Sequence, residues 1–291
     1  MTKILYVFAG SVWAAAAELA IAELGYTEPN LIVKTVNLIE GENFSPDFIK
    51  KNPNATLPTL EEDGKFYTTT ADVIAVLVKD APNKVKAGTS IVQTIHDDKY
   101  DPNFAMLLTR NEEELAIKSK GLAGLFLGNR QKALEKYLQD PAAAPYKTFL
   151  EGKKAFNGGK LFNFLSKHYL LTWTQGLLAV VNGTASAEHK AGFFAQSQAH
   201  FASVKTGLYE VVPGLLPESG FIGGEIPGED DFHVGAWLTR IAATTGATSA
   251  DNGVESLGKA YGGPVPAKVA AYWAAWTARP SWKKVYASSL H

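Results

Sequence analysis

The chain contains no cysteine and only two methionines among its 291 residues. That absence excludes disulfides, thiolate metal sites, and any nucleophile or redox couple built on a cysteine of its own. It also fits a reducing compartment. Neither sign of charge is in excess: 28 Lys and Arg stand against 29 Asp and Glu. No strong field therefore draws the chain to nucleic acid or to an anionic membrane. No uncharged apolar run is long enough for a membrane span; Leu161 to Val181 comes nearest and is broken by Lys167 and His168. The apolar run within Met1–Phe8 is too short for the core of a secretory signal. These absences predict a cytoplasmic protein. His96, His168, His189, His200 and His233 show no metal-ligand spacing with acidic partners, so no metal site is expected.

What is present is a globular balance, 46% apolar and 20% charged, over a length that suits two domains. Lys3 to Phe8 reads as a buried strand and Ala9-Gly10-Ser11 as a turn. Val12 to Leu24 reads as an alanine-rich helix with Ser11 at its N-cap and Gly25 past its end. Ile32 to Asn37 forms a second strand, which implies a right-handed parallel crossover. Ser45-Pro46 opens a short helix. Asp63-Gly64 between two short β-type runs is a hairpin signal. Thr69 and Thr70 then cap a helix that runs through Leu77. This is a small α/β domain with a mixed sheet over residues 1–83, followed by a linker at 84–95. From His96 onward no strand is expected. Helical candidates are 102–118, 121–138, 145–166, 187–210, 228–245 and 265–276, so residues 96–291 read as an all-α domain. Gly246 to Pro266 reads as a long surface loop or lid, and Lys167 to Ser186 as an insertion between helices.

The segment Asn52-Pro53-Asn54-Ala55-Thr56-Leu57-Pro58-Thr59-Leu60 stands out. Proline cannot donate to a sheet ladder, so Pro58 belongs at the first position of a strand. A trans bond makes this an ordinary strand entry. A cis bond would leave the N–H and C=O of Leu57 outside the ladder, open to an extended peptide.

Taken in order, these elements resemble the cytosolic glutathione transferases, and among them fungal members. The shared pattern is a strand, a Ser or Tyr near the first helix, Asn-Pro, an apolar residue before cis-Pro, an Asp-Gly hairpin and a Ser/Thr-capped helix. Gly228-Glu229-Asp230-Asp231-Phe232 resembles the start of the family's core helix. Asp231 supplies half a capping box there, and Gly228 stands in place of the usual Ser or Thr. Arg279-Pro280-Ser281 resembles the exit of the final helix. The resemblance implies a thioredoxin-like N-terminal domain, an all-helical C-terminal domain, a homodimer, and glutathione as co-substrate for a small electrophile.

On that resemblance the thiol comes from glutathione, since the chain has none. Ser11 is the candidate to donate a hydrogen bond to its sulfur at a helix N-terminus, which lowers the thiol pKa. Tyr6 is the rival, or a core residue. Trp13 either edges the pocket or packs. Leu57, ahead of Pro58, supplies the backbone pair, and Thr69 and Thr70 sit where the family holds the γ-glutamyl carboxylate. The family's glutamate is Thr69 here, with Asp72 the nearest acid. Its usual cation before the loop helix is replaced by Asn43 and Phe44, with Lys50 and Lys51 nearby. Glu18 stands where many relatives carry arginine. For the second substrate, Asn103, Met106, Leu107 and Arg110 recur at helical spacing on one face, with Tyr100 and Phe104 beside them. That stripe is either a pocket wall or bundle core, and Arg110 reads as a lone cation able to orient a polar electrophile.

Overall fold

The structure, a computed structural model, describes residues 2–158 and 176–291. Its strands are β1 (Lys3–Val7), β2 (Leu31–Thr35), β3 (Thr59–Glu62) and β4 (Lys65–Tyr67). The helices up to residue 138 are α1 (Val12–Glu23), α2 (Pro46–Lys51), α3 (Thr70–Lys79), α4 (Ile91–Ile95), α5 (Glu112–Lys120) and α6 (Leu122–Leu138). After them come α7 (Lys147–Gly158), α8 (Leu177–Val181), α9 (Ala187–Thr206) and α10 (Val212–Leu215). The last four are α11 (Glu229–Thr244), α12 (Gly253–Tyr261), α13 (Ala267–Ala278) and α14 (Pro280–Val285). The architecture is that of an α/β thioredoxin-like region followed by helices. Among the described residues no strand follows Tyr67. The chain divides into two compact units.

The first unit takes the chain up to Thr35, Thr56–Ala105 and Ala202–His291. Its sheet runs β2-β1-β3-β4, parallel between β1 and β2 and antiparallel elsewhere. The hairpin turns at Asp63 and Gly64, both at positive φ, as the Asp-Gly pair predicts for a tight hairpin. Alanine-rich α1 packs against α3, α11 and α14. Ala14, Ala15, Ala16 and Ala17 are fully buried, and their small side chains let several elements approach one helix at once.

The core of this unit is α11, whose Phe232, Trp237, Leu238 and Ile241 are buried. At its start Asp231 accepts from the N–H groups of Gly228 (2.8 Å), Ile222 (2.8 Å) and Gly223 (2.7 Å), and from the Tyr272 hydroxyl (2.9 Å). A Cβ on Gly228 would stand 3.0 Å from the Lys86 carbonyl. A Ser or Thr side chain at this position would be crowded, and Asp231 closes the cap without it. Glu229 accepts from Gly88 N–H (2.8 Å), and Asp230 from the N–H and hydroxyl of Thr89 (2.9 Å each). The stretch before α4 is thereby tied to α11.

The second unit comprises Val36–Ala55 and Met106–Phe201. One apolar cluster joins Phe44, Ile49 and Ala55 to Leu134, Ala143 and Leu150. Another gathers Leu115, Leu127, Leu177, Val180 and Phe193. Ser45 caps α2 by accepting from Phe48 N–H (3.3 Å), with Pro46 in its first turn.

Two expectations fail. The stretch 102–118 is not one helix. Residues 104–106 form a single 3-10 turn, and α5 begins only at Glu112. Asp101 accepts from Asn103 N–H (2.9 Å), and Asn111 caps α5 by accepting from Glu114 N–H (2.9 Å). Short Asp and Asn side chains bond the local backbone and so compete with helix continuation. Met106, Leu107 and Arg110 therefore share no helix face. The glycine-rich stretch 246–266, expected as a loop, contains α12, whose Leu257 and Tyr261 are buried. Its Gly253 is needed for packing: a Cβ there would meet the Trp273 ring at 2.1 Å. The 159–166 end of the expected 145–166 helix lies outside the described residues. So do Lys167 to Gln175 of the expected insertion.

Candidate functional site

Ladder register within the first unit brings three candidate segments to one end of the sheet. Tyr6 pairs with Thr59 and Leu60 with Tyr67. Leu57-Pro58 enters β3, Thr69-Thr70 follows β4 and the Ser11 turn follows β1, so all three segments lie beyond the same end of the sheet.

The Ser11 turn is the best-defined part. Gly10 has φ +98°, a conformation that favours glycine. Ser11 N–H donates to the Phe8 carbonyl (3.0 Å). As N-cap of α1, Ser11 Oγ accepts from Ala14 N–H at 3.4 Å. A hydroxyl accepts twice and donates once, so capping leaves its proton available. From below, Arg240 on α11 donates to the Gly10 carbonyl. Arg240 is buried, its Nε meets no partner among the described residues, and burial lowers its pKa to about 10. It stays cationic at neutral pH. Seven residues earlier on the same helix, His233 Nδ1 lies 2.8 Å from His96 Nε2. The His96 ring stacks on Trp13 at 3.9 Å. Burial depresses both imidazoles, His96 to about 4, and His96 further disfavours charge on His233. Trp13 is thus a buried member of this stack. Nothing in the sequence pairs Arg240 with Gly10 or His96 with His233, because they are distant in the chain.

The Leu57-Pro58 peptide is cis. Leu57 lies outside the ladder, which starts at Thr59, and no hydrogen bond reaches its main chain among the described residues. Its side chain and Pro58 are buried. Thr69 is the N-cap of α3: its Oγ1 accepts from Asp72 N–H (3.1 Å) and donates to the Asp72 carboxylate (2.6 Å). Thr70 opens the helix, half-buried. Tyr6, the rival to Ser11, is buried in β1 and donates to Glu61 at 2.6 Å. Burial first, then Glu61, raises its pKa further. Glu18 is held protonated up to about pH 7 by burial, against the pull of Lys284.

The residues proposed for the second substrate are placed differently. Phe104 opens the 3-10 turn, and its side chain lies outside the description. Met106 and Leu107 are half-buried in the second unit, with Leu107 against the Leu115 cluster. Arg110 is not a lone cation. It grips Glu114 through Nε (2.7 Å) and Nη2, and its guanidinium lies 4.0 Å from the Phe201 ring centre. Asn43 donates to the Ala55 carbonyl (2.8 Å), and Lys50 and Lys51 close the last turn of α2.

Residues 5–85 match the family model "Glutathione S-transferase, N-terminal domain". Solved structures align along nearly the whole chain. The β-etherase LigF from Sphingobium sp. strain SYK-6 aligns at 15% identity over 99% of this chain and 100% of its own, with a TM-score of 0.51. Glutathione transferase F7 from Populus trichocarpa aligns at 16% identity over 97% of each chain, with a TM-score of 0.47. A glutathione transferase homologue from Sulfitobacter, with bound glutathione, aligns at 15% identity over 98% of this chain and 96% of its own, with a TM-score of 0.46. A search of the curated proteins found no match. The family match covers residues 5–85, and over the rest of the chain the likeness is one of fold. No helix among the described residues is long and apolar enough to cross a membrane.

Proposed function

We propose that this protein is a glutathione transferase that joins the glutathione thiolate to small hydrophobic electrophiles, with Ser11 activating the thiol. The observation that carries the proposal is the spare hydroxyl proton of Ser11 at the start of α1, on the same sheet end as the uncommitted main chain of Leu57. A thiol of cysteine type has a pKa of about 8.5 and is mostly protonated at neutral pH. A hydrogen bond from Ser11, the N-terminal end of α1 and the charge of Arg240 behind Gly10 all favour the thiolate. Leu57 N–H and C=O would pair with the tripeptide backbone. The start of α3 at Thr69 and Thr70 would take the γ-glutamyl carboxylate. The thiolate then attacks an electrophilic carbon; the S–C bond forms as the leaving group departs or as the acceptor double bond takes up a proton. Trp13 and Phe104, both in the first unit, remain candidates for the electrophile's surroundings. The proposal extends to a cytoplasmic homodimer, and to domains at 1–83 and 96–291 joined by 84–95.

A second reading, a glutathione transferase-like protein that binds ligands or partners without turnover, is favoured by one observation. Asp72, the acid nearest the site expected for the ligand's ammonium, is engaged with Thr69. Retention on immobilised glutathione, combined with conjugation of an activated aryl halide, separates the two. The first reading expects retention and turnover, with Ser11→Ala lowering kcat/KM roughly 10- to 100-fold through loss of a hydrogen bond to a charged sulfur. Retention without turnover supports the second reading. Absence of both retention and turnover removes the first reading.

A further inference from the structure

The second unit holds two cations that meet no carboxylate among the described residues. On α6, Arg130 sets its guanidinium 4.6 Å from the ring centre of Phe44. On α7, Lys153 sets its ammonium 5.2 Å from the ring centre of Phe149. The register of these helices is fixed by Asn157, whose Nδ2 donates to the Leu127 carbonyl (3.2 Å) and to Gln131 (3.0 Å). It is fixed again by Lys154 with Glu135 at 3.4 Å. Arg130 and Lys153 thus fall on the same stretch of the interface between α6 and α7, near enough for the charge of Arg130 to disfavour that of Lys153.

The two acids nearest in sequence on these helices, Glu135 and Glu151, are used elsewhere. Glu135 takes Lys154 and Gln131, and Glu151 faces Lys147 at 3.9 Å. The sequence from 159 to 175 contains no Asp or Glu. Both cations are half-buried. Burial lowers Arg130 to about 10, and burial followed by Arg130 lowers Lys153 to about 8. Desolvation without an opposite charge costs free energy, and a neighbouring like charge adds to the cost.

We propose that Arg130 and Lys153 form a binding site for a small oxyanion of the phosphate class, flanked by Phe44 and Phe149. The guanidinium offers a planar fork that matches two phosphate oxygens, and the ammonium a mobile point charge for a third. Stacking on Phe44 holds the fork in place before the ligand arrives. Free phosphate and a phosphomonoester share this chemistry. The site uses no residue of the Ser11 region.

The test uses the full chain at neutral pH and constant ionic strength. Inorganic phosphate or phenyl phosphate replaces chloride, read by the thermal unfolding midpoint and by phosphorus NMR line width. A saturable rise in midpoint with phosphate is expected, and Arg130→Met and Lys153→Met should each weaken apparent affinity about tenfold or more. Tighter binding of phenyl phosphate would assign the site to a monoester, and equal binding to the free ion. Without phosphate, Lys153→Met should unfold at a higher temperature than the parent, because a repulsion is gone. If Arg130→Met does not fold, Arg130→Lys keeps the charge without the fork and should bind with intermediate affinity. An identical midpoint in phosphate and chloride overturns the proposal. So does an undiminished response in both single variants.

Discussion

At the start of α11 one carboxylate, that of Asp231, takes three main-chain N–H groups and a tyrosine hydroxyl. At the start of α1 one hydroxyl, that of Ser11, takes a single N–H at 3.4 Å. Both are N-terminal caps in the same unit. The first is saturated and fully buried, and has nothing left to offer a ligand. The second is half-buried, weakly held and keeps a donor free. A helix start whose hydrogen bonds all close inside the protein contributes stability; one left partly open can serve chemistry. The same division separates two arginines. Arg240 is committed to the Gly10 carbonyl, whereas Arg130 rests on an aromatic ring.

The largest effect is expected from breaking the saturated cap. Asp231→Ala leaves three N–H groups without their acceptor and the Tyr272 hydroxyl with only the main-chain carbonyl of residue 231, at 3.3 Å. At roughly 1–3 kcal/mol for each buried orphan, less what water recovers, the loss should be about 4 kcal/mol. Urea unfolding midpoints measure it. A loss under about 1 kcal/mol would mean the carboxylate is not what holds α11 to residues 222–228.

Asp231 also marks where legibility ended. Its position three residues after Gly228 shows half a capping box in the sequence. The reach to Ile222 and Gly223, and the carbonyl of Lys86 that crowds Gly228, come from tertiary packing. The region up to Lys79 was readable because its signals are local: a hairpin at Asp63-Gly64, caps at Ser11, Ser45 and Thr69, and a proline opening α2. Residues 102–111 misled because apolar spacing there mimics a helix while Asp101 and Asn111 redirect the backbone. Residues 246–266 misled in the opposite sense, since Gly253 reads as loop but is the one residue that fits beneath Trp273. Within the candidate site, Ser11 and Thr69 were visible as caps. Arg240 beneath Gly10 and the His96–His233 pair were not, because nothing short of the folded chain brings them together.

A middling effect, set by pH, tests the buried groups behind the Ser11 turn. His96 and His233 have folded pKa values below the ordinary imidazole value, His96 at about 4. Between about pH 6.5 and 4 the unfolded chain binds more protons, so their contribution is full above 6.5 and is lost as pH falls through the folded values. Glu18 opposes them. Its folded pKa of about 7 lies above the ordinary carboxyl value, so its contribution is full at low pH and is lost as pH rises through 7. Glu18→Gln should therefore stabilise the protein at pH 8, by about 1 kcal/mol after allowance for solvent screening, and change little at pH 4.5. Its stability should also fall more steeply on acidification than the parent's. Urea midpoints at pH 8, 6 and 4.5 measure all three; a gain that does not shrink toward acid pH would place the titration elsewhere.

The smallest effect sharpens the contrast most. Ser11→Ala removes one long capping contact from a helix whose residues Val12–Ala17, Leu19 and Ala20 are buried. The expected loss is about 0.5–1 kcal/mol, the low end for N-caps, because packing rather than the cap holds α1 in place. Thermal and urea unfolding of Ser11→Ala beside Asp231→Ala put the two helix starts on one scale. A loss for Ser11→Ala above about 2 kcal/mol would make its hydroxyl a structural bond like the carboxylate of α11. The donor proposed for the thiol would then be committed to the fold.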